Sequence, residues 1–236
     1  MKPRQYHILI TSDIPEMQGM WDGPAWGTVL PLSIDCFRPE GSDHKPRTQC
    51  KLLFNDYNIF GIFRVKDRFV RSVHTGFQAD VWKDSCVEAF IQPKDCPGYF
   101  NFEFNCGSAL LASYVTDPIR KNDRLKSYTP LLTNEGQQIR RFASLAPSVE
   151  PEIETPLTWL LEFAIPLGVL EKYVGPLGEI KGQAWRANFC KCGNETSHPH
   201  WASWAPLAAR NFHDPSSFGQ IDFAIKSKSV SASRQD

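Results

Sequence analysis

The chain has 236 residues and a formal net charge of zero, with 26 Lys and Arg against 26 Asp and Glu. This balance disfavours nucleic acid as a partner, because proteins bind DNA and RNA largely through positive charge. The sequence holds no run of about 18 apolar residues that could span a membrane, so we expect no membrane association.

The cysteines and the N-terminus bear on where the protein works. The seven cysteines are odd in number and lack the spacing of a small secreted scaffold, which predicts buried free thiols. The first residues, M-K-P-R-Q-Y-H-I-L-I-T-S-D, contain neither the long apolar core nor the cleavage site of a signal peptide. We therefore expect a cytoplasmic protein, or a mature form from which a signal has been removed.

The first third of the chain predicts short strands separated by turns. One strand is predicted over residues 6–10, and the Asp-Gly-Pro turn that follows lies between Trp21 and Trp26. Residues 49–54 and 59–66 then form a predicted hairpin around N-D-Y-N. These short elements with polar connections favour an all-β fold.

The stretch 81–107 predicts two neighbouring strands at the centre of the protein. In the second strand the phenylalanines at 100, 102 and 104 alternate with polar residues, a period of two that places all three rings in the core. If the two strands pair, Glu88, Glu103 and Asn105 share the opposite face, with Trp82 at its rim. Fixed polar groups beside an aromatic ring suit a sugar-binding surface. An ordinary solvated face is the alternative that alternation leaves open.

The second half of the chain continues the pattern. The charged segment 116–127 is interpreted as a loop or a short helix, whereas residues 158–165 and 183–192 alternate as core strands. The last of these strands presents Arg186 and Asn188 on its polar face. With about ten strands in all, we predict a single-domain β-sandwich of the jelly-roll kind over residues 1–226, followed by a disordered tail at 227–236.

Two further groups could carry chemistry. Glu88 and Glu103 could serve as the acid and base of a glycoside hydrolase, although spacing in sequence does not establish the separation of their carboxylates. In C-K-C-G-N-E-T-S-H-P-H, the candidates for a tetrahedral zinc site are Cys190, Cys192, His198 and His200. The C-x-C spacing fits no common zinc finger, and buried structural cysteines explain it equally well.

The motifs together resemble a family 9 carbohydrate-binding module, and in particular the stand-alone family-9-like proteins described as xylanase-associated. The resemblance extends from about residue 21 to residue 223. It is carried by the pieces D-G-P-A-W, V-W-K-D-S-C-V-E-A-F, Y-F-N-F-E-F-N-C-G, R-A-N-F-C-K-C-G, W-A-S-W and F-H-D-P-S-S-F-G-Q-I-D-F.

This resemblance implies a β-sandwich that binds the ends of β-linked plant glycans such as cellulose and xylan, in carbohydrate catabolism and without catalysis. In such modules two tryptophans enclose a sugar ring, and a glutamate, an arginine and asparagines bind its hydroxyls. Trp82 matches the first tryptophan, Glu88 the glutamate and Asn105 one asparagine. Phe212 stands at the position of the second tryptophan, and Glu103 replaces the arginine.

The resemblance also sets expectations for partners and cofactors. The predicted ligand is a mono- or oligosaccharide, with Arg186, Asn188 and His213 completing the site and a glycoside hydrolase as a possible working partner. No cofactor is expected beyond the structural calcium that some of these modules carry. Relatives with the same sandwich bind haem through axial His or Met, an alternative that His198, His200 and His213 keep open.

Overall fold

The computed structural model describes residues 4–121 and 124–225, so the predicted tail at 227–236 lies outside the described residues. The two α-helices found there are short, α1 (Thr133–Gly136) and α2 (Leu167–Val174). The strands in the same residues are β1 (Gln5–Ile10), β2 (Leu32–Ile34), β3 (Cys36–Phe37), β4 (Arg47–Phe54), β5 (Asn58–Asp67), β6 (Val70–Ser72), β7 (Cys86–Gln92), β8 (Tyr99–Asn105), β9 (Leu110–Lys121), β10 (Arg124–Pro130), β11 (Arg140–Ala143), β12 (Val149–Ile153), β13 (Leu157–Pro166), β14 (Ala184–Cys192), β15 (Trp201–Ser203) and β16 (Gly219–Phe223).

These strands build a β-sandwich of two sheets, as predicted. The first sheet has the order β10-β9-β8-β7-β14-β16-β1, and the second continues from β1 through β4-β5-β13-β11. Strand β1 belongs to both sheets, because its first residues pair in parallel with β16 and its last two pair with β4. Strand β15 extends the first sheet beside β14 and β3, β2 pairs with β4, and β6 and β12 form a separate pair.

The alternation in β8 is confirmed by where its rings lie. Phe100, Phe102 and Phe104 are fully buried between the two sheets. The Phe104 ring stacks on Phe163 of β13, with 5.3 Å between ring centroids. The main core therefore lies between the inner faces of the sheets, held mainly by the hydrophobic effect.

The outer face of the first sheet is covered, not freely solvated. Glu88 and Glu103 are only 3% and 5% exposed, and a smaller apolar cluster packs on the same face around Phe90, Tyr99 and Phe218. Loops that follow β15 fold over this surface, so polar residues of β7 and β8 line the base of a depression.

Two local expectations are corrected. In the segment 116–127, interpreted as a loop or a helix, the described residues 116–121 and 124–127 instead belong to the paired strands β9 and β10, where Asp117 and Lys126 form an ion pair at 2.7 Å. Trp82, expected on a strand, lies in a 3-10 turn (Val81–Lys83). The next residue after that turn, Asp84, accepts hydrogen bonds from two backbone N–H groups of the preceding loop and ties the turn to it.

One expectation concerned membranes. Within the described residues, no helix has both the length and the apolar character that crossing a membrane requires.

Candidate binding site

A cleft of about 660 Å³ opens on the outer face of the first sheet. Its volume lies in the range of small-molecule sites. The floor is formed by residues of β7 and β8, and the walls are formed by the turn at Val81–Lys83, the start of β15 and the loop before β16. Residues of the β9–β10 hairpin and of the end of β14 complete the lining, so the cleft gathers side chains from widely separated parts of the chain.

The floor of the cleft is polar and buried. Glu88 and Glu103 are direct register partners on the antiparallel strands β7 and β8. The Asn101 side-chain amide donates to Glu103 Oε1 at 2.8 Å, and the Cys192 thiol donates to Glu88 Oε1 at 3.0 Å. Two carboxyl groups, an amide and a thiol are therefore fixed side by side beneath the cleft.

The electrostatics of the floor favour a neutral Glu88. Burial raises the pKa of the Glu88 carboxyl well above its usual range, and the neighbouring Cys192 and Glu103 raise this pKa further. A protonated carboxyl both donates and accepts a hydrogen bond, as a hydroxyl does. The floor can therefore match ligand groups that themselves donate and accept.

Aromatic rings line the walls. Trp82, Trp201 and Phe212 are each half-buried and border the cleft. The Trp201 ring is held in place, because its indole Nε1 donates to Asn194 Oδ1 at 2.7 Å and the Arg210 guanidinium lies 4.5 Å from the ring centroid. Half-exposed, fixed rings are suited to stacking against an apolar ligand face.

Of the residues predicted to bind sugar, five line this cleft, namely Trp82, Glu88, Glu103, Phe212 and His213. His213 is buried against the ring of Phe90, and its Nδ1 is 2.8 Å from the Tyr99 hydroxyl. The first four present rings or carboxyl groups to the cleft, whereas His213 supports the loop that carries Phe212.

Three other predicted residues lie outside the cleft lining and are corrected here. The Asn105 amide donates to Asp84 and to the His74 carbonyl, which fixes the turn that carries Trp82. Asn188 is fully buried, and its amide bonds the backbone of Ala205 in both directions. The side-chain amides of Asn105 and Asn188 therefore already form hydrogen bonds within the protein, outside the cleft.

Arg186 is the third of these corrections. It lies at the exposed end of β14 that pairs with β16, and its guanidinium donates to the backbone carbonyls of Ser216 and Phe218. Arg186 lies near the start of β14, whereas Cys192, the residue of this strand that lines the cleft, lies at its end.

The sequence analysis did not select several cleft residues. Asn101 shares the face of Glu103, so the same alternation could have identified it. Trp201 lies in the W-A-S-W motif. The motif was noted for its tryptophans, but the sequence did not predict where in the fold they lie. Arg210 and Asn211 come from an irregular loop, for which no sequence pattern predicts where the side chains lie.

The zinc set predicted from the sequence does not assemble. Cys190 and Cys192 face the outer side of β14, but His200 binds Lys191, the residue between them, whose side chain points to the opposite face. The His198 ring instead stacks on Phe69, with 3.6 Å between centroids. Successive strand residues point to opposite faces, and this separates the thiols from the imidazoles.

The positions of the histidine, cysteine and acidic side chains also bear on the expected haem and calcium sites. His213 lies against Tyr99 on the outer face of the first sheet, whereas His200 binds Lys191, which points to the opposite face of β14, so these three side chains do not share one haem slot. Among the described residues, the only group of three His, Cys, Asp or Glu side chains close enough to share a metal contains two thiols. Calcium prefers oxygen ligands, so this group does not fit calcium.

Comparison with known proteins adds to this geometry. The model of carbohydrate-binding family 9 matches residues 28–223. A solved structure from Bacteroides uniformis ATCC 8492, provisionally described as a carbohydrate-binding protein, is 26% identical, with a TM-score of 0.80 over 94% of this chain and 99% of the other. Among curated proteins, none matches the chain significantly.

Two further structures share the fold at lower identity. Both are of a family 9 carbohydrate-binding module from Caldicellulosiruptor kristjanssonii. The complex with glucose is 13% identical with a TM-score of 0.59, covering 97% of this chain and 100% of the other. The complex with cellotriose is 12% identical with a TM-score of 0.59, covering 99% and 100%.

Proposed function

The chain belongs to carbohydrate-binding family 9, and on this premise we propose that its cleft binds fragments of β-linked plant glycans such as cellulose or xylan. Trp82 stacks against a sugar ring, with Trp201 and Phe212 completing the apolar walls. Glu88, Glu103 and other polar groups of the floor bind the hydroxyls. The glucose and cellotriose complexes of the Caldicellulosiruptor kristjanssonii module support this class of ligand.

The observation that carries the proposal is the combination of aromatic walls with a buried polar floor. A pyranose offers C–H faces that stack on rings and hydroxyl groups that require donors and acceptors at fixed positions. The three rings supply the first, and the Glu88–Glu103 pair with the Asn101 amide supplies the second. A purely apolar ligand would leave this floor without partners, which is costly.

Binding without hydrolysis is the activity that this arrangement favours. A glycoside hydrolase places its two carboxyl groups on either side of the scissile bond. Here both carboxyl groups lie side by side in one sheet floor, and each is hydrogen-bonded to a neighbouring protein group. The protein would then act beside a glycoside hydrolase that degrades the same polysaccharide.

Calorimetry with glucose, cellobiose, cellotriose and xylobiose tests the proposal. We expect Trp82→Ala and Trp201→Ala each to weaken binding of the best ligand by about 5- to 150-fold, since loss of a stacked ring at a binding hot spot costs about 1 to 3 kcal/mol. Arg186→Ala is the matched control, because Arg186 is exposed and outside the cleft, and it should bind as the unchanged protein does.

The outcomes separate the alternatives. No binding of any saccharide, or an affinity in both tryptophan variants that is unchanged from that of the unaltered protein, would overturn the proposed site. Release of reducing sugar that is lost in Glu88→Gln or Glu103→Gln would show hydrolysis in place of simple binding. A visible haem spectrum in the purified protein would point to the haem-binding relatives instead.

A further inference from the structure

Two thiols and one carboxyl group meet where the floor of the cleft borders β14. The Sγ atoms of Cys86 and Cys192 and a carboxylate oxygen of Glu88 all lie within 4.8 Å of one another. All three residues are buried, with exposed fractions of 0%, 1% and 3%. Within the part of the chain that the structure describes, these are the only three such side chains gathered this closely.

Strand pairing creates this group. Cys192 of β14 is the direct register partner of Cys86 on β7. Glu88 follows Cys86 by two residues and therefore points to the same face of the sheet. Both strands are flanked by hydrogen-bonded neighbours, so the three donors sit on rigid elements, which is how precise ligand sites are held.

The donor set favours zinc over calcium and magnesium. Two thiolates and one carboxylate suit Zn²⁺, whereas Ca²⁺ and Mg²⁺ require oxygen ligands. At Zn–S and Zn–O distances of about 2.3 and 2.0 Å, tetrahedral ligand atoms are separated by about 3.5 to 3.8 Å. The observed cluster, with all separations within 4.8 Å, needs only small side-chain adjustments to reach that spacing.

We propose that Cys86, Glu88 and Cys192 form a zinc site at the base of the cleft. Glu88 and Cys192 line the cleft, so the remaining coordination position can be reached from it. Three protein ligands and one open position form the arrangement in which zinc holds a water or another oxygen ligand. Glu88 belongs both to this set and to the floor proposed to bind the saccharide, but titration with metal and calorimetry with sugars measure the two properties separately, so the failure of either can be recognised.

Cobalt substitution tests the site in the whole protein. Reduced protein is freed of metal with a chelator and titrated with Co²⁺, which gives a sulfur-to-cobalt charge-transfer band only when thiolates bind it. We expect one equivalent of Co²⁺ to produce the band and one equivalent of Zn²⁺ to abolish it. Metal analysis after dialysis should then find one zinc per chain.

Matched variants assign the ligands. Cys86→Ser and Cys192→Ser should each lose the band, whereas Cys50→Ser and Cys106→Ser should keep it, because those two thiols are buried in the main core. Glu88→Gln keeps both thiols and the shape of the side chain, and should weaken Co²⁺ binding at least tenfold while the band remains.

Measurements on the unaltered protein keep the proposal falsifiable if a cysteine variant does not fold. Zinc should raise the thermal midpoint of the wild-type chain, since a ligand that binds only the folded state stabilises it. The absence of both the band and this shift would overturn the site. So would a band that persists in the double Cys86→Ser/Cys192→Ser variant, or recovery of these two cysteines as a disulfide from the native protein.

Discussion

His200 is a buried imidazole whose hydrogen bonds fix its protonation. Its Nδ1 lies 2.9 Å from the His198 carbonyl oxygen, an acceptor, so Nδ1 carries the hydrogen. Its Nε2 then accepts from the Lys191 ammonium at 2.8 Å. Burial and the nearby positive charge of Lys191 lower the pKa of His200 to about 3. The folded protein therefore holds this histidine neutral.

A pH dependence of stability follows from this single residue. Its pKa is lower in the folded than in the unfolded state, so the unfolded chain takes up the proton first and stability falls below about pH 6.5. Between pH 7 and about pH 5.5 we expect a loss of about 1 kcal/mol in the free energy of unfolding. Urea unfolding at both values measures this loss.

The variant His200→Gln provides the control. Glutamine keeps an acceptor for the Lys191 ammonium but does not titrate in this range. Its free energy of unfolding should change by less than half as much over the same interval. An equal change in the variant would assign the pH dependence to other groups.

At the residue scale, the sequence predicted which face of a strand each side chain occupies. It did not predict what that side chain contacts. Asn105 and Glu103 share a face of β8, yet Asn105 binds Asp84 whereas Glu103 lines the cleft. The contact depends on loops that cover the two ends of the strand differently, and alternation contains no information about those loops.

Strands β5 and β13 meet closely at one point in the core. Gly61 is the register partner of Phe163, and a Cβ atom added at Gly61 would overlap the Phe163 ring. That ring is fully buried and packs against Phe63 and Phe104, so it cannot easily move aside. The position therefore requires glycine, because only a residue without a side chain leaves room for the Phe163 ring between β5 and β13.

We expect Gly61→Ala to lower the free energy of unfolding by about 1 to 3 kcal/mol, the usual cost of overpacking a core. The matched control is Gly168→Ala in α2, where an added Cβ meets nothing within 4 Å. That change should leave stability unchanged or raise it by up to about 1 kcal/mol, because alanine favours helix. Denaturant unfolding measures the free energy of unfolding of both variants. Equal values for the two variants would contradict the packing argument.

At the element scale, strands that place apolar residues in the core were predictable from the sequence, whereas exposed and charged strands were not. Strands β8, β13 and β14 show clear alternation because each faces the main core. The β9–β10 hairpin was misinterpreted because its outer part is largely exposed and charged. Such strands are specified by pairing with a neighbour, which a local pattern does not report.

A buried ion pair joins the two sheets of the molecule. Lys191 of the first sheet lies 3.6 Å from Asp67 of the second, and both side chains are fully buried. Burial alone would raise the pKa of Asp67, but the Lys191 charge and hydrogen bonds from His44 and Trp159 lower it below its usual range. Asp67 therefore stays ionised inside the sandwich.

Removing one partner should destabilise the whole fold. We expect Lys191→Met to cost about 3 to 5 kcal/mol, because it leaves the Asp67 charge buried without its cation. In the double variant Lys191→Met/Asp67→Asn the loss should be smaller than the sum of the two single losses. Unfolding of the four proteins of this cycle measures the coupling, and additive losses would show that the two residues act independently.

The sequence by itself determined the fold class, the family and the core faces, because these follow from local periodicity and from motifs spread over nearly the whole chain. It also identified Trp82, Glu88, Glu103 and Phe212 as residues of one surface. Only the tertiary structure decided which groups touch. Cys192 reaches Glu88 across 104 positions of sequence, since strand order and register, unlike periodicity, depend on the packing of the entire molecule.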